Sequence, residues 1–111
     1  MEARLIYMTA GSLDEAKALG RALVEERLAA CINVLPGMTS IYRWEGTERI
    51  DEEVVVIAKT RADLVDAVTA RVKEIHSYSC PSVVALPIDG GNPDFLQWIV
   101  DQTIEEPPTV V

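Results

Sequence analysis

The stretch LAACINVLPGMTSIYRWEGTERIDEEVVVIAK, Leu28–Lys59, decides the fold. It holds two β-prone runs, Ile32–Trp44 and Glu53–Lys59, on either side of a short polar turn at Glu45-Gly46-Thr47-Glu48. Ordinary strands run about 5–6 residues, so this ribbon outreaches what one small domain can cover. Its tip and outer edge need a further surface, and another copy of the chain is the simplest one. Proline cannot donate to a ladder, so Pro36-Gly37 predicts a bulge or bend, with Met38–Trp44 forming the outer half. Val54–Ala58 is apolar without alternation, which predicts burial on both faces.

Outward from the ribbon, Ala3–Thr9 reads as a first strand ending at Ala10-Gly11. Ser12 and Glu15 have capping-box spacing, and a helix follows from Leu13 to about Leu28 with Ala16, Leu19, Leu23 and Val24 on one face. Gly20 within it marks a close approach to a strand. Thr60 and Asp63 repeat the capping logic before a second helix through Ile75, whose stripe is Leu64, Val65, Val68, Val72 and Ile75. His76–Pro81 is a loop and Val83–Ile88 a fourth strand. Asn92-Pro93 opens a short last helix predicted to carry Phe95, Trp98 and Ile99 inward. The tail from about residue 104 is expected to be loosely ordered or an edge segment. The order βαββαβ plus a C-terminal helix is an α+β, ferredoxin-like arrangement.

A chain of 111 residues is read as one domain, residues 1–111. It is 49% hydrophobic and 25% charged, which excludes disordered and collagen-like classes. No apolar run approaches the roughly 20 residues that cross a bilayer, and MEARLIYMTAGS lacks the pattern of an export signal, so a cytoplasmic location is expected. The net charge of −8 and the lack of a basic stripe disfavour nucleic acid. Cys31 and Cys80 are then expected to be reduced thiols.

Gly-rich phosphate loops, G-x-S-x-G, H-E-x-x-H and C-x-x-C are all absent, and no acid–base or nucleophile–base pair can be assigned. An enzyme is not expected. Two thiols and one imidazole, Cys31, Cys80 and His76, suit a soft cation such as Cu(I), or Zn²⁺. Cys31 reads equally as a small core hydrophobe, and His76 as a residue favoured at a helix end. Tyr42, Trp44 and Tyr78 either pack on the ribbon or wall a cleft between protomers, with Lys59 as its cationic member. The acids Glu45, Glu48, Asp51, Glu52 and Glu53 are read as a solvated hairpin end.

Six blocks in order carry a resemblance: E-R-L-A-A-C at Glu26–Cys31, P-G-M-T-S-I-Y-R-W-E-G at Pro36–Gly46, E-V-V-V-I-A-K-T at Glu53–Thr60, H-S-Y-S-C-P at His76–Pro81, A-L-P-I at Ala85–Ile88 and G-N-P-D-F-L-Q-W at Gly91–Trp98. On these the chain resembles the CutA divalent-ion tolerance family. The resemblance implies a ferredoxin-like protomer in a tight homotrimer with hairpins reaching across to neighbours. It also implies binding of copper, as Cu(I) or Cu(II), or another divalent cation or a small ligand at intersubunit clefts. Family ligands include a cysteine late in the first strand and histidines ending the second helix; the matching positions are Met8, a soft thioether, and Ile75 before the single His76. A likeness to PII signalling proteins implies the alternative of an interaction scaffold or signalling trimer that binds a protein partner and meets metal only incidentally.

Overall fold

Alternation along the first strand fixes the layering. In β1 (Ala3–Ala10), Ile6, Met8 and Ala10 are buried in the core with Val54, Val56 and Ala58 of β3 (Thr47–Arg61). Because side chains alternate across a strand, Tyr7, Thr9, Glu53, Val55, Ile57 and Lys59 face the other way. The computed structural model describes residues 2–108 and Val110. The sheet order is β2-β3-β1-β4, where β2 is Cys31–Trp44 and β4 is Val83–Pro87, and every pairing is antiparallel. Two helices, α1 (Leu13–Glu25) and α2 (Val65–Ile75), supply Ala16, Leu19, Leu23, Ala67, Val68 and Val72 to the core on one face. The short α3 (Pro93–Gln102) reaches the opposite face, where the Lys59 ammonium lies 6.0 Å from the Phe95 ring. This is the α+β architecture expected from the element order.

The ribbon forms as its sequence predicts. Register slips between Leu35 and Met38, and Gly37 takes a φ of 82°, a value that favours glycine. The turn is tighter than the four polar residues suggest. Trp44 pairs with Thr47 across Glu45 and Gly46, both at positive φ, 50° and 78°, the geometry of a two-residue primed turn. Only Val54–Arg61 of β3 pairs with β1; the outer half has β2 alone. Ile41 and Ile50, directly opposite each other there, are 68% and 66% exposed.

Helix ends differ from expectation in instructive ways. The Ser12 hydroxyl accepts from the Glu15 N–H at 3.1 Å, as predicted, but α1 stops at Glu25 because Arg27 turns left-handed, φ 58°. Its guanidinium donates to the Gln102 and Asp101 carbonyls, satisfying the last turn of α3. Thr60 and Asp63 do not cap α2. Thr60 stays in β3 and its buried hydroxyl donates to the Leu28 carbonyl at 2.6 Å, while Asp63 accepts two bonds from Arg61. A 3₁₀ turn, Ala62–Leu64, leads into the helix instead. Gly20 approaches β2 as expected: a Cβ there would meet Ile32 Cγ2 at 2.8 Å. Phe95 and Trp98 are not inward. They stack with centroids 5.5 Å apart and remain 41% and 39% exposed, while Ile99 is fully buried. The helical period gives a face for α3 but not the molecule that covers it.

Arg61 is 2% exposed. It pairs with Asp63 at 2.9 Å and donates to the Thr103 hydroxyl and the Ile104 and Glu105 carbonyls. The start of the tail is thus tied to the end of β3; Thr109 and Val111 of that tail lie outside the described residues. Arg61→Leu should lose about 3 kcal/mol of stability, because three carbonyl and hydroxyl acceptors are left unpaired. Urea unfolding measures the loss, and amide exchange should show faster opening at residues 103–105; unchanged exchange would refute the clamp.

Candidate functional site

A concave site lies on the sheet face turned away from α1 and α2. Cross-strand partners share a face, so the pairs Met38–Glu53, Ser40–Asp51 and Tyr42–Arg49 extend the row begun by Tyr7 and Thr9. The loop after α2, His76–Ser82, forms the other wall. Together they enclose an open cleft of about 850 Å³ lined by Tyr7, Thr9, Met38, Tyr42, Trp44, Tyr78 and Cys80 among others.

A polar network fastens that loop. The His76 side chain is wholly buried. Its Nε2 lies 2.7 Å from the Thr9 carbonyl, which can only accept, so Nε2 carries the proton. Nδ1 then accepts from the Tyr78 N–H at 3.0 Å. The Glu15 carboxylate accepts from the Ser77 N–H and hydroxyl, 2.8 and 3.0 Å, and from the Gly11 N–H. Burial alone would raise the Glu15 pKa. The bonds from Ser77 and Gly11 outweigh it and hold the carboxyl below its usual range. The Tyr78 ring lies against His76, centroids 4.6 Å apart, and its hydroxyl donates to Glu53 Oε2 at 2.8 Å. Burial, then the bond to Glu53, pushes the Tyr78 phenol well above its ordinary range, so it stays a donor. At the outer end the Tyr42 hydroxyl donates to Asp51 at 2.5 Å, which raises the Tyr42 pKa, and Arg49 stands 3.7 Å from the same carboxylate.

Of the residues singled out from sequence, Tyr78, Cys80, Tyr42 and Trp44 line this cleft. Lys59 does not. It sits six residues along β3 from Glu53, roughly 20 Å, where it donates to Asn33 Oδ1 and lies 3.9 Å from Cys31 Sγ. Cys31 pairs with Lys59 at that same end, apart from Cys80, and both thiols are free. Met8 is fully buried in the core on the helix side. Two groups escaped the sequence reading. Glu53 was grouped with the solvated acids, yet it is 9% exposed and anchors Tyr78. Glu15 was assigned to the helix cap, yet it also holds the loop. The only signal for Glu53 was its position next to the apolar run Val54–Ala58.

As for metals, both ring nitrogens of His76 are engaged within the chain. Among the described residues no three His, Cys, Asp or Glu side chains gather into a group able to hold an ion. The donor set of one protomer therefore does not fit a resident copper or other divalent-cation centre.

The profile of the CutA1 divalent ion tolerance protein family matches residues 4–102. The chain belongs to that family. A divalent-cation tolerance protein CutA of Thermus thermophilus is 43% identical over 99 residues, covering 89% of this chain and 96% of its own length. The rice protein CutA 1, named as chloroplastic, is 44% identical over 101 residues, covering 91% of this chain; the chain spans 57% of its length. A crystal structure of CutA1 from rice superposes with a TM-score of 0.93 at 42% identity, covering 96% of this chain and 97% of that one. The family and the Thermus relative are named for tolerance of divalent cations and not for an enzymatic reaction. Among the described residues no helix is long and apolar enough to cross a membrane.

A carboxyl whose folded pKa is depressed stabilises the fold above its unfolded pKa and loses that contribution as pH falls through its folded value. Glu15 should thus contribute fully above about pH 5 and progressively less below the unfolded value of about 4.3. Glu15→Gln should lose about 1 kcal/mol at neutral pH and show a flatter stability profile in that acid window. Urea unfolding against pH measures both; parallel profiles would refute the role.

Proposed function

We propose that this chain is the protomer of a homotrimeric divalent-cation tolerance protein whose clefts, completed by neighbouring subunits, take up a soft cation or a small ligand. The observation that carries the trimer is the outer ribbon: Ile41 and Ile50 stand opposite each other, mostly exposed, beyond the reach of β1. Phe95, Trp98, Val84 and Leu86 add further exposed apolar surface. Exposed apolar surface of this kind favours burial against another copy.

For the cation, copper or another divalent ion as substrate, Cys80 is the proposed first contact because it is exposed and lines the cleft. His76 can join only by giving up a bond to Thr9 or Tyr78, and Cys31 and Met8 only from another subunit or not at all. Capture of an ion therefore calls on Cys80 from more than one copy. A cytoplasmic setting, which keeps the thiols reduced, belongs to the same proposal. The second reading is a PII-like interaction scaffold with incidental metal binding; the full engagement of His76 favours it.

Light scattering should give a mass about three times 12.2 kDa. Titration with Cu(I) should show binding that Cys80→Ser reduces by about tenfold or more, while His76→Ala should cost stability more than affinity. A monomer at working dilution would defeat the trimer, and unchanged copper affinity in Cys80→Ser would defeat the ligand assignment.

A further inference from the structure

Glu53 is the only buried carboxylate among the described residues, and it lacks a positive partner. The contrast with Arg61 is direct, since that buried charge is met by Asp63 and by backbone carbonyls. Tyr78 donates to Oε2 of Glu53, and no described side-chain bond reaches Oε1. That oxygen is not sealed, because no buried side-chain polar atom lacks a partner. The Tyr7 hydroxyl is turned to Met38 Sδ at 3.3 Å and the Tyr42 hydroxyl to Asp51, so neither serves Glu53. Arg49, the cation lining the cleft, stands beside Asp51 instead. A largely buried carboxylate favours a cation beside it, and the oxygen still open to the cleft is where one can reach it. The cleft is electrostatically incomplete.

What completes it follows from the walls. A metal ion needs several oxygen, nitrogen or sulfur ligands converging on one point, and no such trio exists among the described residues. Tyr78, Tyr42 and Trp44 line the cleft together with the acids Asp51 and Glu53, and Trp44 lies nearest the hairpin tip. Aromatic faces beside a carboxylate attract an ammonium group, whose charge is spread over hydrogens or methyls and needs no tight coordination shell. The volume of about 850 Å³ suits a small organic molecule. We propose that this cleft is a receptor for a small organic cation, its primary or quaternary ammonium seated against Glu53 and Tyr78 and its apolar body lying along Tyr42 toward Trp44. This rests on the reading that the cleft is the ligand site, and it names a ligand class distinct from the metal.

The test is isothermal titration of the wild-type protein with choline and with n-butylamine, each against its uncharged counterpart, the carbon isostere of choline and n-butanol. Light scattering and Trp fluorescence are followed in parallel. The ammonium compounds should bind about tenfold tighter than the uncharged ones or better. Glu53→Gln should abolish that preference, whereas Tyr78→Phe, which leaves the carboxylate, should keep it. Equal binding of charged and uncharged probes would overturn the proposal, as would a preference surviving in Glu53→Gln. Should Glu53→Gln fail to fold, the wild-type comparison decides alone. If amines do not bind and Glu53→Gln dissociates the assembly, the missing cation is a Lys or Arg of a second copy and the proposal falls. Copper binding that depends on Cys80, with no amine binding, would leave the cleft reading standing and overturn only this one.

Discussion

Everything distinctive about this molecule follows from the unequal lengths of β1 and β3. β1 ends at Ala10, opposite Val54, while β3 extends seven residues further toward the turn, from Thr47 to Glu53. Inside that limit β3 is paired on both sides and its apolar run is buried between strands and helices. Outside it, β2 is its sole partner and one edge of β3 has no strand beside it. Glu53 is the first residue past the limit, and the Tyr78 hydroxyl reaches into the place where β1 would otherwise continue. The cleft exists because a loop, not a strand, adjoins the ribbon there.

That geometry also explains why the loop after α2 is so firmly held. It has no ladder of its own, so its order comes from side chains donating and accepting: Glu15 on Ser77, His76 between Thr9 and Tyr78, Tyr78 on Glu53. Three segments distant in sequence, around Thr9–Glu15, Glu53 and His76–Tyr78, meet in this network. Each bond is modest in water, but only the His76–Thr9 bond is fully buried; its loss would leave the Thr9 carbonyl unsatisfied, while the Glu15 bonds lie at the surface. A cleft wall built this way keeps one shape, which suits recognition better than a mobile loop would.

The element order, the bulge at Pro36-Gly37 and the burial of the Val54–Ala58 run, complete but for a half-buried Ile57, were legible in sequence because each rests on local chemistry: proline's missing donor, glycine's positive φ, an unbroken apolar stretch. So was the Ser12 cap. Thr60 and Arg61 were not legible, since their roles come from acceptors at Leu28 and beyond Gln102, dozens of residues away. Glu53 looked like one more acid in a polar tip until the register placed it beneath Tyr78. Lys59 shows a different limit: the strand carries it to the opposite end of the protomer from Tyr42, Trp44 and Tyr78, so grouping aromatics and a cation by type does not tell whether one chain brings them together. Phe95 and Trp98 show a further limit, since periodicity marks an apolar face without telling whether its own chain covers it.

The two-residue turn at Glu45-Gly46 has a consequence for how such ribbons can change. One residue added to each strand just beyond the bulge would swing Ser40 and Tyr42 onto the helix side of the sheet and empty the cleft of their groups. Two in each strand would preserve every facing and merely push the tip outward by roughly 7 Å. Arms of this kind can therefore grow or shrink only in even steps, so their length varies in jumps while the chemistry along them stays constant.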